Sequence, residues 1–82
     1  MTRDEAWSIY AAAVADVLER DPDEIEHGLQ FREDLDIDSL GVFELVLELE
    51  EAFDLELPEE DAEKITTTTE GFELVCRLAE IG

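Results

Sequence analysis

Between Glu33 and Glu63 the chain carries fourteen acidic residues and no basic one, and the apolar residues among them recur three and four positions apart. Residues on a helix lie about 100° apart around its axis, so this spacing puts Val42, Leu45, Val46, Leu49 and Phe53 on one face. The pattern predicts a helix over Ser39 to Phe53 with that face buried, and strand-type alternation has almost no signal anywhere in the chain. An all-α fold follows. A net charge of −20 would suit a disordered acidic tail, but 45% hydrophobic residues is too many for one, and a folded core inside a charged shell is expected. Eighty-two residues supply one small core, so residues 1–82 are expected to form a single domain.

The remaining elements read as helices of unequal length. Thr2 and Glu5 form a capping box, and Ala6, Tyr10, Ala13, Val14, Val17 and Leu18 follow at helical spacing toward Asp21-Pro22, which predicts a helix over 3–19. Residues 20–37 have no sustained period, yet they carry Ile25, Leu29, Phe31, Leu35 and Ile37. They are expected to form a long loop pinned to the core by those side chains, with one short helical turn. A short third helix is predicted over 59–65, after Pro58. A fourth is predicted over 68–80, opened by a Thr67–Glu70 capping box and facing inward through Phe72, Val75, Cys76 and Ala79. Thr66 to Thr69 read as loop and cap. Gly71 is expected to weaken the fourth helix by roughly 1 kcal/mol relative to alanine.

Charge limits the partners. Nucleic acid and anionic membrane surfaces are repelled, whereas a basic patch on another protein is attracted over about 8 Å at physiological salt. The expected protein is therefore a monomer that meets basic enzymes or receptors, with no nucleic acid and no membrane among its partners. No apolar run is long enough to span a bilayer, and Met1-Thr2-Arg3-Asp4-Glu5 is unlike a secretory signal, so a cytoplasmic location is expected. Cys76 is the single cysteine and is expected to be a small core side chain.

Asp38 is placed to cap the second helix, which puts Ser39 in the first turn with its hydroxyl outward as an accessible attachment point. Two chemical readings of this segment fail. An EF-hand loop counted from Asp34 through Asp36 and Asp38 needs glycine where Ser39 stands and glutamate where Leu45 stands. A nucleophile elbow needs a glycine at Ile37, and His27, the only histidine, is expected to be a solvent-facing loop residue. A second stripe on the same helix, Leu40, Phe43 and Leu47, lies about 100–160° from the buried face and is flanked by Glu44, Glu48, Glu50 and Glu51. It either packs inside under the long loop or forms a docking surface for a partner with a basic rim.

Asp34-Leu35-Asp36-Ile37-Asp38-Ser39-Leu40, followed by Glu44-Leu45 and Glu50-Glu51-Ala52-Phe53, resembles the phosphopantetheine attachment region of acyl carrier proteins. The resemblance continues through Leu57-Pro58-Glu59-Glu60 and Glu63-Lys64-Ile65-Thr66-Thr67, and so covers nearly the whole chain. It implies a small four-helix bundle with a long first loop and a short third helix. It also implies that Ser39 carries 4′-phosphopantetheine, donated by coenzyme A through a phosphopantetheinyl transferase, with acyl chains held as thioesters on the terminal thiol of the arm. The protein would then be a non-catalytic carrier whose acyltransferases, ketosynthases and related biosynthetic enzymes supply the chemistry. In that family, acids matching Asp38, Glu44, Glu50 and Glu51 help dock basic patches, beside the apolar Leu40, Phe43 and Leu47. Gly41 stands where fatty-acid carriers usually have a polar residue, and Phe43 is bulkier than the usual aliphatic. Asp36-Ile37 departs from the paired glycines of peptidyl carriers, which favours acyl over aminoacyl cargo. The alternatives are a peptidyl or aminoacyl carrier, or an acidic interaction adaptor without a prosthetic group.

Overall fold

The computed structural model describes Met1–Gly82. Four helices follow one another: α1 (Arg3–Leu18), α2 (Ser39–Phe53), α3 (Glu59–Glu63) and α4 (Thr68–Leu78), with a single 3₁₀ turn at Pro22–Glu24 inside the long α1–α2 connection. Sheet structure is limited to one isolated bridge between Gln30 and Thr67. Both predicted capping boxes form. The Thr2 hydroxyl accepts from the Glu5 N–H while the Glu5 carboxylate accepts from the Thr2 N–H, and Thr67 and Glu70 reciprocate in the same way.

Three helix ends share one backbone cause, and two of them, those of α1 and α4, fall short of the periodicity. Glu19, Asp54 and Glu80 adopt left-handed φ angles of 57°, 51° and 56°. The residue after each one then turns back to bond five residues upstream: Arg20 N–H to Ala15 O, Leu55 N–H to Glu50 O and Ile81 N–H to Cys76 O. These are Schellman closures, usually made by glycine and here made by acids. α1 and α4 therefore stop before Glu19 and Glu80, and the reversal after α4 packs Ile81 against the core. α3 ends at Glu63 because the Lys64 and Ile65 N–H groups close short turns onto Asp61 O and Ala62 O.

The core lies between α1, α2 and α4, with Tyr10, Val14, Phe31, Leu49 and Val75 fully buried. Ile25, Phe31, Leu35 and Ile37 carry the long loop into it, as their apolar character requires. The threonine run does more than cap a helix. The Thr68 hydroxyl is buried, donates to Glu26 O at 2.6 Å and accepts from the Leu29 N–H at 3.1 Å. The Thr69 hydroxyl accepts from the Gly28 N–H, and backbone bonds join Thr68 to Leu29 and Phe31 to Thr66. The segment is a strap that holds the long loop, and so fixes the approach to Ser39. His27 is exposed as expected, but its ring stacks on Trp7 with centroids 3.8 Å apart. Cys76 is buried, and burial pushes its thiol pKa up, which makes it a core side chain and not a nucleophile.

Candidate functional site

The start of α2 is built by the loop that precedes it. Phe31 is buried, its N–H bonds Thr66 O, and its carbonyl accepts from the Ile37 N–H at 2.8 Å, which closes residues 31–37 into a compact turn. Asp36 takes a left-handed φ of 55° in this turn, a conformation aspartate tolerates better than most residues. The Asp38 carboxylate caps α2 by accepting from the Gly41 N–H at 2.8 Å. A Cβ at Gly41 would stand 2.6 Å from the Ile37 Cγ2, so the small residue one turn into the helix makes room for the buried Ile37. Asp34, Asp36 and Asp38 thus do separate structural jobs: Asp34 accepts from the Gln30 N–H, and the other two shape the turn and the cap.

Ser39 is the first residue of α2 and is exposed. Its hydroxyl accepts one hydrogen bond, from the Arg32 guanidinium at 3.2 Å. It opens onto a groove of about 690 Å³ between α2 and the α3 region, walled by Phe31, Val42, Val46, Leu57, Ala62 and Ile65. Helical periodicity puts Val42 and Val46 on the buried face of α2. They are half-buried because this groove runs alongside them, whereas Leu45 and Leu49 are buried outright.

The second stripe of α2 is not covered by the long loop. Leu40, Phe43 and Leu47 are 65%, 60% and 50% exposed, a large apolar area for a surface otherwise dense in carboxylates. Phe43 and Leu47 also line the groove, while Leu40 is not among its walls. Around the helix, Glu44 and Glu51 fall within about 40° of Leu40 on one side, and Glu50 flanks Phe43 on the other. Glu50 has a second task, because its carboxylate accepts from the Leu57 N–H at 2.9 Å and ties the α2–α3 connection to α2. The groove walls from α3 and Arg32 were missed in the sequence. Arg32 had one available signal, as the last cation before the acidic run, directly after a core phenylalanine.

The arrangement suits covalent attachment. An exposed serine hydroxyl with a single hydrogen bond can be esterified without disturbing the core, and the adjoining groove has apolar walls for a flexible chain. That is the fit a 4′-phosphopantetheine arm requires: Ser39 would hold it, and the arm would supply a thiol for thioester formation. Residues 11–70 match the family described as "Phosphopantetheine attachment site". An acyl carrier protein of Rubrobacter xylanophilus is 47% identical over 75 residues, covering 92% of this chain and 93% of that one. One of Lactobacillus johnsonii is 39% identical over 75 residues, covering 92% and 94%. Among solved structures, the acyl carrier protein from Enterococcus faecalis superposes with a TM-score of 0.74 at 35% identity, over 95% of this chain and 99% of that one.

The chain belongs to the phosphopantetheine-attachment family, among the acyl carrier proteins. It is a non-catalytic carrier whose cofactor is 4′-phosphopantetheine, and it works with biosynthetic enzymes. No helix is long and apolar enough to cross a membrane.

Proposed function

We propose that Ser39 is the residue a phosphopantetheinyl transferase esterifies with the arm of coenzyme A, and that residues 1–82 act as one cytoplasmic, monomeric carrier unit. It presents acyl thioesters to fatty-acid or polyketide biosynthetic enzymes such as acyltransferases and ketosynthases. One observation carries the assignment: Ser8 and Ser39 are the only serines, and of the two only Ser39 lies within the matched residues and beside the groove. In the transfer, the Ser39 oxygen forms the new bond to phosphorus, the hydroxyl proton is lost, and the nucleotide part of coenzyme A leaves. Leu40, Phe43 and Leu47 then meet apolar pockets on the partner, while Asp38, Glu44, Glu50 and Glu51 face its basic rim.

Loading from an acyl-coenzyme A tests this reading. The wild-type chain is expected to gain an acyl group that hydroxylamine releases, whereas Ser39→Ala stays folded and unloaded. Full loading of Ser39→Ala would rule the assignment out. For docking, charge reversal at Glu44 and Glu51 should chiefly slow association with the transferase, and Leu40→Ala should speed dissociation. Stopped-flow binding that is indifferent to salt would contradict the acidic rim.

A further inference from the structure

Five basic residues share this chain with twenty-five acids, yet Arg32 is in neither of the two ion pairs, Arg3–Glu73 and Arg77–Asp61. Its guanidinium donates instead to a neutral oxygen, Ser39 Oγ, at 3.2 Å. A hydroxyl is a poor match for a permanently charged fork of donors, which fits the paired anionic oxygens of a phosphate or carboxylate. The loop fixes the placement: Phe31 is anchored in the core, its carbonyl is held by the Ile37 N–H, and Arg32 is left on the surface beside the first residue of α2.

We propose that Arg32 is the receptor for the phosphodiester at the root of the arm, pairing with it once Ser39 Oγ is esterified. The inference rests on the assignment of Ser39 as the attachment residue. A phosphodiester keeps its negative charge throughout the pH range in which a protein is folded. The groove onto which Ser39 opens is lined by Glu33, Glu50, Glu59 and Glu63, and Arg32 is its only cation. Without Arg32 those carboxylates repel the root of the arm from the groove. With it, the added charge is neutralised on the side of Ser39 that faces the groove, so the arm starts out over the apolar walls. Arg32 is thus a positioning residue. Because both partners are exposed, the pair is open to screening by salt.

NMR of the arginine Nε–Hε groups, before and after enzymatic loading from coenzyme A, tests the proposal. Intact mass is read first, and a wild-type chain that gains no arm overturns this inference together with the Ser39 assignment. In the loaded wild type, the Arg32 Nε–Hε resonance should move while those of Arg3, Arg20 and Arg77 keep their positions, and the shift should shrink at about 1 M salt. The phosphorus resonance of the arm should differ in loaded Arg32→Gln and return part of the way in Arg32→Lys, a change that a merely structural role for Arg32 would not produce. Three results in loaded protein overturn the inference and leave Ser39 assigned: an Arg32 resonance unmoved by loading, a shift indifferent to salt, or a phosphorus resonance that is the same in wild type and Arg32→Gln.

Discussion

Gly71 lies inside α4, where a Cβ would run into the Tyr10 hydroxyl. That hydroxyl is buried and donates to the Thr68 carbonyl at 2.8 Å, and burial pushes the phenol pKa well above its ordinary value. Helix propensity alone favours alanine at position 71 by about 1 kcal/mol, but the overpacked contact should outweigh it, so Gly71→Ala is expected to destabilise by about 1–3 kcal/mol. Tyr10→Phe alone should lose about 1 kcal/mol with the hydrogen bond, and it also removes the clashing oxygen. Chemical denaturation of the double variant should show less destabilisation than the sum of the singles, and strict additivity would contradict the close approach. The burial of Tyr10 and Phe72 was legible from periodicity. The role of Gly71 was not, because the atom that excludes a side chain there belongs to a different helix. Gly41 and Ile37 make the same point, since only the folded turn brings Ile37 against that position.

α2 was bounded correctly from sequence because its start signal is local: an aspartate that can cap, followed at once by the apolar period. α1 and α4 end earlier than their periodicity suggests, since acids in place of glycine give no visible stop signal, and α3 ends early because the Lys64 and Ile65 N–H groups close short turns. Each of Glu19, Asp54 and Glu80 has a left-handed backbone and a negative charge near the negative end of a helix dipole, two unfavourable terms together. Replacement by glycine removes both, against the greater freedom glycine has in the unfolded chain. Glu19→Gly, Asp54→Gly and Glu80→Gly are each expected to stabilise by about 0.5–1 kcal/mol, read from thermal or urea unfolding. Destabilisation by all three would contradict the strain argument. The long loop was correctly read as pinned by its apolar residues. The strap at Thr66–Thr69 stayed hidden, because its hydrogen bonds join residues distant in sequence.

Twenty-five carboxylates on a body of 29 × 28 × 20 Å repel one another more strongly than in an unfolded chain. Glu48 reports the result: desolvation, then the nearby Asp16 and Glu51 carboxylates, raise its pKa. A raised folded value means that ionised Glu48 opposes folding at pH 7, with relief as pH falls toward that value. Glu5 and Glu70 run the other way. Hydrogen bonds from Thr2 lower Glu5, and those from Thr66 and then Thr67 lower Glu70, so their contribution is full above the ordinary glutamate range and is lost as pH falls through the lowered values. The melting temperature should therefore rise from pH 7 toward about pH 5 and fall below about pH 4, and added monovalent salt should raise it at pH 7. A melting temperature that falls with salt at pH 7 would show that self-repulsion is not a main liability. At this scale the sequence already contained the acidic shell, the second apolar stripe on α2 and the serine beside it, while the exposure of that stripe came from the fold. The groove and Arg32 emerged only when the loop closed around Phe31. The measurement that bears most directly on the account is peptide mapping by mass spectrometry after the chain is loaded from coenzyme A by a phosphopantetheinyl transferase. One arm per chain is expected, on the peptide containing Ser39; an arm on the peptide containing Ser8, or none at all, would contradict it.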